Sequence, residues 1–165
     1  MPGVKSRPED HTVAVNRRAR FSYDIEDSLE AGLVLTGTEV KSLREGQAQI
    51  AEAYARIEER AGVPEVWIYG MHVLPYSHGG LFSPDPRRKR KLLLRKAQIR
   101  QVAERVQQKG YTLVPLKLYF TRGKAKLELG LGKGRKTLDK RQAISDRETR
   151  RELQSAVGRR NKAAE

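Results

Sequence analysis

Leu113-Val114-Pro115-Leu116-Lys117-Leu118-Tyr119-Phe120-Thr121-Arg122-Gly123-Lys124-Ala125-Lys126-Leu127-Glu128-Leu129-Gly130-Leu131 is the stretch that decides the fold class. Leu116, Leu118 and Phe120 alternate with Lys117 and Tyr119. Ala125, Leu127, Leu129 and Leu131 alternate with Lys126, Glu128 and Gly130. Successive side chains of a strand point to opposite faces, so this spacing predicts two strands, each with one apolar and one polar face. Thr121-Arg122-Gly123 between them reads as the turn of a hairpin.

The same period recurs upstream. Phe21, Tyr23 and Ile25 alternate with Ser22, Asp24 and Glu26, which predicts a half-buried strand. Leu33-Val34-Leu35, after Glu30-Ala31-Gly32, predicts a second, short one. Residues 49–75 read as a strand pair around Gly62 and Pro64, with Tyr54, Arg56 and Ile57 on one arm and Val66, Trp67, Ile68, Tyr69, Met71 and Val73 on the other. Two helices break the pattern. One or two turns are expected over 39–45, capped by Thr38 and closed by Gly46. A longer helix is expected over 92–108, with Leu92, Ile99, Ala103 and Val106 on one face and Gly110 as its stop.

Both ends of the chain read differently. Residues 1–15 are polar and carry Pro2, Gly3 and Pro8, which predicts a flexible arm. Beyond Gly132 the large apolar residues thin to Leu138, Ile144, Leu153 and Val157, while eleven basic residues face five acids. Too little can be packed there, so residues 132–165 are expected to be disordered in the free chain. Ser145-Asp146-Arg147-Glu148 matches a helix-capping box, which suits a segment that becomes helical on a partner. The glycines of Gly130-Leu131-Gly132-Lys133-Gly134 lack the spacing of a phosphate-binding loop and read as a flexible junction.

The charge narrows the function. Lys and Arg number 34 against 20 Asp and Glu, a formal net charge of +14 over 165 residues. Such a balance favours polyanions, nucleic acid before an anionic membrane. There are no cysteines, which excludes disulfides and thiolate metal sites and fits a cytoplasmic chain. His11, His72 and His78 stand at no metal-ligand spacing, and no nucleophile motif is present, so neither an enzyme nor a cofactor is expected. Arg87, Arg88, Lys89, Arg90 and Lys91 form an acid-free run at the expected start of the second helix. Cations are unfavourable at a helix N-terminus, which suggests that phosphates occupy the place; a solvated surface run is the other reading. Tyr119 and Lys117 share the polar face of the hairpin, where a ring can stack on a base.

Seven strings taken together carry a resemblance. They are Asn16-Arg17-Arg18-Ala19-Arg20, Leu29-Glu30-Ala31-Gly32-Leu33, Gly37-Thr38-Glu39-Val40-Lys41-Ser42-Leu43-Arg44, Gly70-Met71-His72-Val73-Leu74-Pro75-Tyr76, the run from Asp85-Pro86 through Arg88, Arg90, Lys91, Leu92, Leu93 and Leu94, Leu113 through Phe120, and Gly134-Arg135-Lys136 with Asp139-Lys140-Arg141. In this order and spacing the chain resembles the SsrA-binding protein family, also called small protein B, over roughly 16–151.

The resemblance implies a mainly β fold with flanking helices: an antiparallel β-barrel of the oligonucleotide/oligosaccharide-binding (OB) type over 16–131, a flexible arm over 1–15, and a basic tail over 132–165 that becomes helical on the ribosome. It implies a monomer that binds the tRNA-like domain of transfer-messenger RNA and carries it to the A site of a stalled ribosome for trans-translation. The tail would enter the messenger channel near the decoding centre. Carried over by position, Asn16, Glu30 and Leu93 would bind RNA, joined by Arg17, Arg18, Arg20, Arg87, Arg88, Arg90, Lys91 and Tyr119. Without the resemblance, Leu93 reads as core and Glu30 as a partner for a neighbouring Arg. Lys133, Arg135, Lys136, Asp139, Lys140 and Arg141 would contact the ribosome. Leu138 departs from the ring residue common just before that Asp. A ribosomal protein or general RNA chaperone of the same fold type is the competing expectation.

Overall fold

The structure, a computed structural model, describes residues 11–80, 83–108, 110–135 and 137–163. In chain order the elements begin with strand β1 (His11–Val15), helix α1 (Ala19–Ser22), β2 (Tyr23–Leu33), α2 (Gly37–Arg44), β3 (Ala48–Gln49), β4 (Tyr54–Arg60) and β5 (Val63–Tyr69). They continue with β6 (His72–Val73), β7 (Arg90–Leu93), α3 (Lys96–Gln107), β8 (Tyr111–Thr121), β9 (Lys124–Gly134) and α4 (Thr137–Ala163).

The hairpin of β8 and β9 is present and longer than the alternation suggests, pairing from Tyr111 with Lys133 to Thr121 with Lys124. Its turn puts Arg122 at φ 51° and Gly123 at φ 74°, two successive left-handed residues that match the right-handed twist of the flanking strands. Around it the antiparallel strands run β1-β8-β4-β5-β7-β2-β9, and β9 pairs back onto β8. The sheet therefore closes into a ring. The seam between β4 and β8 is narrow, with Ala55 opposite Leu113. Inside lies an aliphatic core that includes Ile50, Val66, Ile68, Met71, Leu92, Leu118, Leu127 and Leu129. Val102 of α3 is buried against it, with Ile99 and Val106 half-buried beside it.

Several expectations are corrected. Leu92 belongs to a strand, not a helix: β7 pairs Leu92 with Val66 and with Leu33, and the helix starts only at Lys96. Leu92-Leu93-Leu94 is an unbroken apolar run, which fits either element by local pattern. Phe21 lies in α1, and β2 runs unbroken through Ala31 and Gly32, where the sequence suggests a break. Thr36 caps α2, not Thr38. Its Oγ1 accepts from the Glu39 N–H at 3.4 Å and the Glu39 carboxylate accepts from the Thr36 N–H at 3.0 Å, satisfying two donors that a helix start leaves open. Pro64 sits inside β5, and the turn falls at Ala61-Gly62. The end of the expected N-terminal arm is strand β1, paired with β8 from His11 opposite Phe120; residues 1–10 lie outside the described residues.

The glycines near 130 are strand, not junction. A Cβ on Gly132 would stand 2.2 Å from the Asp24 carbonyl oxygen, so only glycine lets β2 and β9 approach there. Residues 137–163 form one helix where the free tail is expected to be disordered. Ser145 lies inside it rather than at its start, and accepts from Thr149 Oγ1 at 3.0 Å. Ile144, Leu153 and Val157 remain exposed along it. No helix among the described residues is long and apolar enough to cross a membrane.

Candidate nucleic-acid interface

Because side chains alternate across a strand, the buried positions Ala31, Leu118 and Leu127 set their neighbours Glu30, Gly32, Lys117, Tyr119, Lys126 and Glu128 outward. The registers align these into two rows across the sheet. One row runs Leu93 (β7), Gly32 (β2), Lys126 (β9), Tyr119 (β8), Thr12 (β1). The next runs Glu30, Glu128, Lys117, Val15. Glu30, Leu93 and Tyr119, far apart in sequence, thus share one face.

Their contacts make this face chemically specific. The Tyr119 hydroxyl donates to the Glu30 carboxylate, and the Lys117 ammonium lies 5.3 Å from the centre of the Tyr119 ring. Partial burial, the bond to Glu30 and the nearby charges of Glu30 and Glu128 push the Tyr119 phenol well above its ordinary range, so it stays a donor. Leu93 is 52% exposed, unusual for leucine in a sheet. Gly32 is small because Leu93 lies over it: a Cβ there would be 3.3 Å from the Leu93 Cβ. A groove of about 360 Å3 runs beside Leu93, rimmed by Lys124 and Lys126. A ring to stack on, a carboxylate to accept from an amino group or a 2′-hydroxyl, an apolar knob and lysines for phosphates together form a surface for unstacked bases.

Asn16 is at the foot of the same face and is largely spent on structure. Its N–H donates to the Leu116 carbonyl at 2.8 Å and its Nδ2 to the Pro115 carbonyl at 3.0 Å, which pins the end of β1 to β8. It is 6% exposed, and its Oδ1 is buried without a hydrogen-bond partner. Arg17, Arg18 and Arg20 are exposed around it, and Arg17 and Arg20 line a groove of about 710 Å3 with Lys117 and Glu128.

The basic run 87–91 is where sequence and structure part most clearly. It runs into β7, which contains its Arg90 and Lys91, rather than into a helix, so the argument from an unfavourable helix start does not hold. Arg90 is fully buried: Nε donates to Glu39 Oε2 at 2.6 Å, and the other guanidinium nitrogens donate to the carbonyls of Met71, Arg88 and Pro86. It cannot meet a phosphate in this fold. Arg88 pairs with the same Glu39. Lys89 pairs with Glu58 at 3.1 Å and Lys91 with Glu65 at 3.4 Å, while Arg87 stays exposed. The acids missing from the run come from other elements. Burial alone would raise the Glu39 carboxyl; the hydrogen bonds from Arg88, the Thr36 backbone and Arg90 outweigh it and hold the carboxyl below its ordinary value.

Of the residues assigned to the tail, Lys133 lies on β9, with its ammonium 4.7 Å from the Tyr111 ring centre. The Arg135 N–H donates to the Ser22 carbonyl at 2.9 Å, so this residue too is tied to the sheet. Arg141 is exposed on α4. Lys136 lies outside the described residues, as do the side chains of Asp139 and Lys140. Lys126, Glu128, Val15 and Thr12 are members of the face that the sequence did not single out. Lys126 and Glu128 were visible as polar positions of the hairpin; Val15 and Thr12 needed the β1–β8 register.

A strongly basic chain that closes an antiparallel sheet into a ring, and sets a tyrosine, a carboxylate, lysines and a leucine on one face of it, is a nucleic-acid-binding protein of the β class. Residues 13–159 match the family model described as SmpB protein. The chain belongs to the SmpB, or SsrA-binding protein, family. It is 51% identical over 154 residues to an SsrA-binding protein of Alkaliphilus metalliredigens, covering 93% of this chain and 96% of the relative. It is 50% identical over 153 residues to one of Leifsonia xyli, covering 93% and 94%. A solved structure described as "tmRNA-SmpB: a journey to the center of the bacterial ribosome" aligns with a TM-score of 0.63 and 46% identity, over 79% of this chain and 93% of that one.

Proposed function

We infer that this chain binds transfer-messenger RNA and acts with it in trans-translation on the ribosome, as an RNA-binding protein rather than an enzyme. Beyond family membership, the observation that carries the reading is the gathering of Glu30, Leu93 and Tyr119 on one outward face. That face grips the tRNA-like domain. Leu93 contacts an exposed base, Tyr119 stacks, and Glu30 accepts hydrogen bonds from a base edge or a 2′-hydroxyl. Arg17, Arg18 and Arg20 neutralise phosphates at its foot. The closed ring is a barrel of the OB type, which supplies a rigid platform for a folded RNA. The basic segment after Arg135 acts separately, in the messenger channel, and the chain works in the cytoplasm.

Capture of the tagged protein from bacterial lysate, with sequencing of the bound RNA, tests this. One dominant RNA with a tRNA-like end, and ribosomes only of the stalled kind, is the expected result. Recovery with all ribosomes in proportion to their abundance would instead identify a constitutive ribosomal protein.

A further inference from the structure

The groove at the foot of the Glu30–Leu93 face has two walls. Arg17, Arg20, Lys117 and Glu128 of the ring belong to one, and Asp146, Arg147 and Arg150 from the middle of α4 form the other. The tail helix, which runs beside α1, is therefore seated across the edge of the surface that takes RNA.

The seat is held by charge rather than by burial. Ile144, which precedes the seated turn, and Leu153 and Val157, which follow it, are all exposed. Each wall brings one carboxylate to cations of the other, Glu128 from the ring and Asp146 from the helix. The match is incomplete. Among the described residues the groove gathers six cations, Arg135 included, against these two carboxylates. So concentrated an excess favours an anion denser than a pair of side chains. Two polar atoms are also unsatisfied while the helix is seated. Asn16 Oδ1 and Arg135 Nε belong to residues that line the groove, and both are buried without a hydrogen-bond partner. A buried acceptor and a buried donor left unpaired weaken the arrangement that leaves them so. RNA, with its phosphates, 2′-hydroxyls and base edges, offers what the cations and both atoms lack.

We propose that in the free chain the middle of α4 occupies the foot of the RNA face as a placeholder, and that the tRNA-like RNA evicts it, so that the tail is fully released for the ribosome only in the RNA-loaded protein. The inference rests on the reading of that face as the RNA site. The two occupants exclude each other because both need the groove that holds Arg17 and Arg20. A seat made of exposed charges is shallow. If it is filled in about half of the free molecules, it lowers the RNA affinity only about twofold, yet saturating RNA empties it completely. Linkage makes the effect reciprocal: whatever stabilises the seated helix opposes RNA to the same extent.

The chain has no cysteine, so labels can be placed at single positions without removing native thiols. Spin labels on Glu59→Cys of β4 and Ser155→Cys of α4, both exposed positions outside the groove, report the distance between ring and tail in the full chain by double electron–electron resonance. A mobility shift on the same samples reads RNA binding. The free chain should show a narrow distance component, and the tRNA-like RNA at saturation should abolish it. Asp146→Lys makes the seated turn wholly basic. It should abolish that component without any RNA, while the RNA binds at least as tightly as before. A narrow component that survives saturating RNA, its absence from the free chain, or its persistence in Asp146→Lys would each overturn the proposal. Absence of a mobility shift would overturn the reading of the face as well, which keeps the two failures apart.

Discussion

Glu30 and Glu39 are two glutamates with opposite tasks, and the difference is burial. Glu30 is exposed and holds the Tyr119 hydroxyl, so it is available to RNA without supporting the core. Glu30→Ala should leave the fold intact and weaken tRNA-like RNA roughly ten- to a hundredfold, the value of one charge-assisted hydrogen bond, about 1.5–3 kcal/mol. Tyr119→Phe, which keeps the ring and loses the hydroxyl, should cost less; a titration on both variants checks the order. Glu39 is 3% exposed and compensates the fully buried Arg90. Glu39→Gln leaves that guanidinium without its countercharge and should destabilise the protein by about 3–5 kcal/mol at neutral pH. Since the folded carboxyl titrates below its reference of 4.5, its contribution is full above that value and lost as the pH falls through the folded one. Urea unfolding at pH 7 and at about pH 4 should therefore show the gap between Glu39→Gln and the parent narrowing in acid. A gap that ignored pH would mean that the carboxylate charge is not what stabilises Arg90.

At the scale of elements, the contact of β2 with β9 is set by Gly132. Gly132→Ala drives a Cβ into the Asp24 carbonyl, a backbone atom that cannot swing aside. A loss of about 3 kcal/mol or more is expected, above the usual cost of an added methyl; thermal unfolding of the variant would show it, and a melting temperature within a degree or two of the parent's would contradict this close approach. Which elements were readable follows from how local their signals are. The β8–β9 hairpin was legible because its alternation and its turn lie within twenty-odd consecutive residues. β7 was not, since Leu92-Leu93-Leu94 suits strand and helix alike and only pairing with β5 and β2 decides between them. Arg90 read as a surface cation for the same reason: its partner is 51 residues away. The candidate face was legible in Glu30 and Leu93 only through family resemblance. Its neighbours Val15 and Thr12 depend on a register that no local pattern contains.

For the whole molecule, the strands run later in the chain than the boundary at 131 that the sequence suggests. β9 continues to Gly134, and Arg135 is bonded to Ser22. A chain ending at Arg135 should fold, bind the tRNA-like RNA nearly as well as the full chain, and fail to support tagging in a reconstituted translation reaction. Loss of RNA binding in that chain, or tagging without the tail, would refute the separation. Binding by the full chain should fall steeply between low and moderate salt, because Arg17, Arg18, Arg20 and the lysines of the face displace condensed counterions. The closure of the ring also dictates an order of events during synthesis. Tyr23 opens β2, yet its partner Gly134 closes β9, so one of the first strands made waits for the last. Such distant pairings form late and slowly. In the interval β2 has an unpaired edge, and its Asp24, Glu26, Asp27 and Glu30 are charges that discourage a stray strand from joining it. A nascent chain released before β9 has been made is consequently an open sheet with its aliphatic interior uncovered, and it becomes a substrate for proteases and chaperones rather than a weaker copy of the protein.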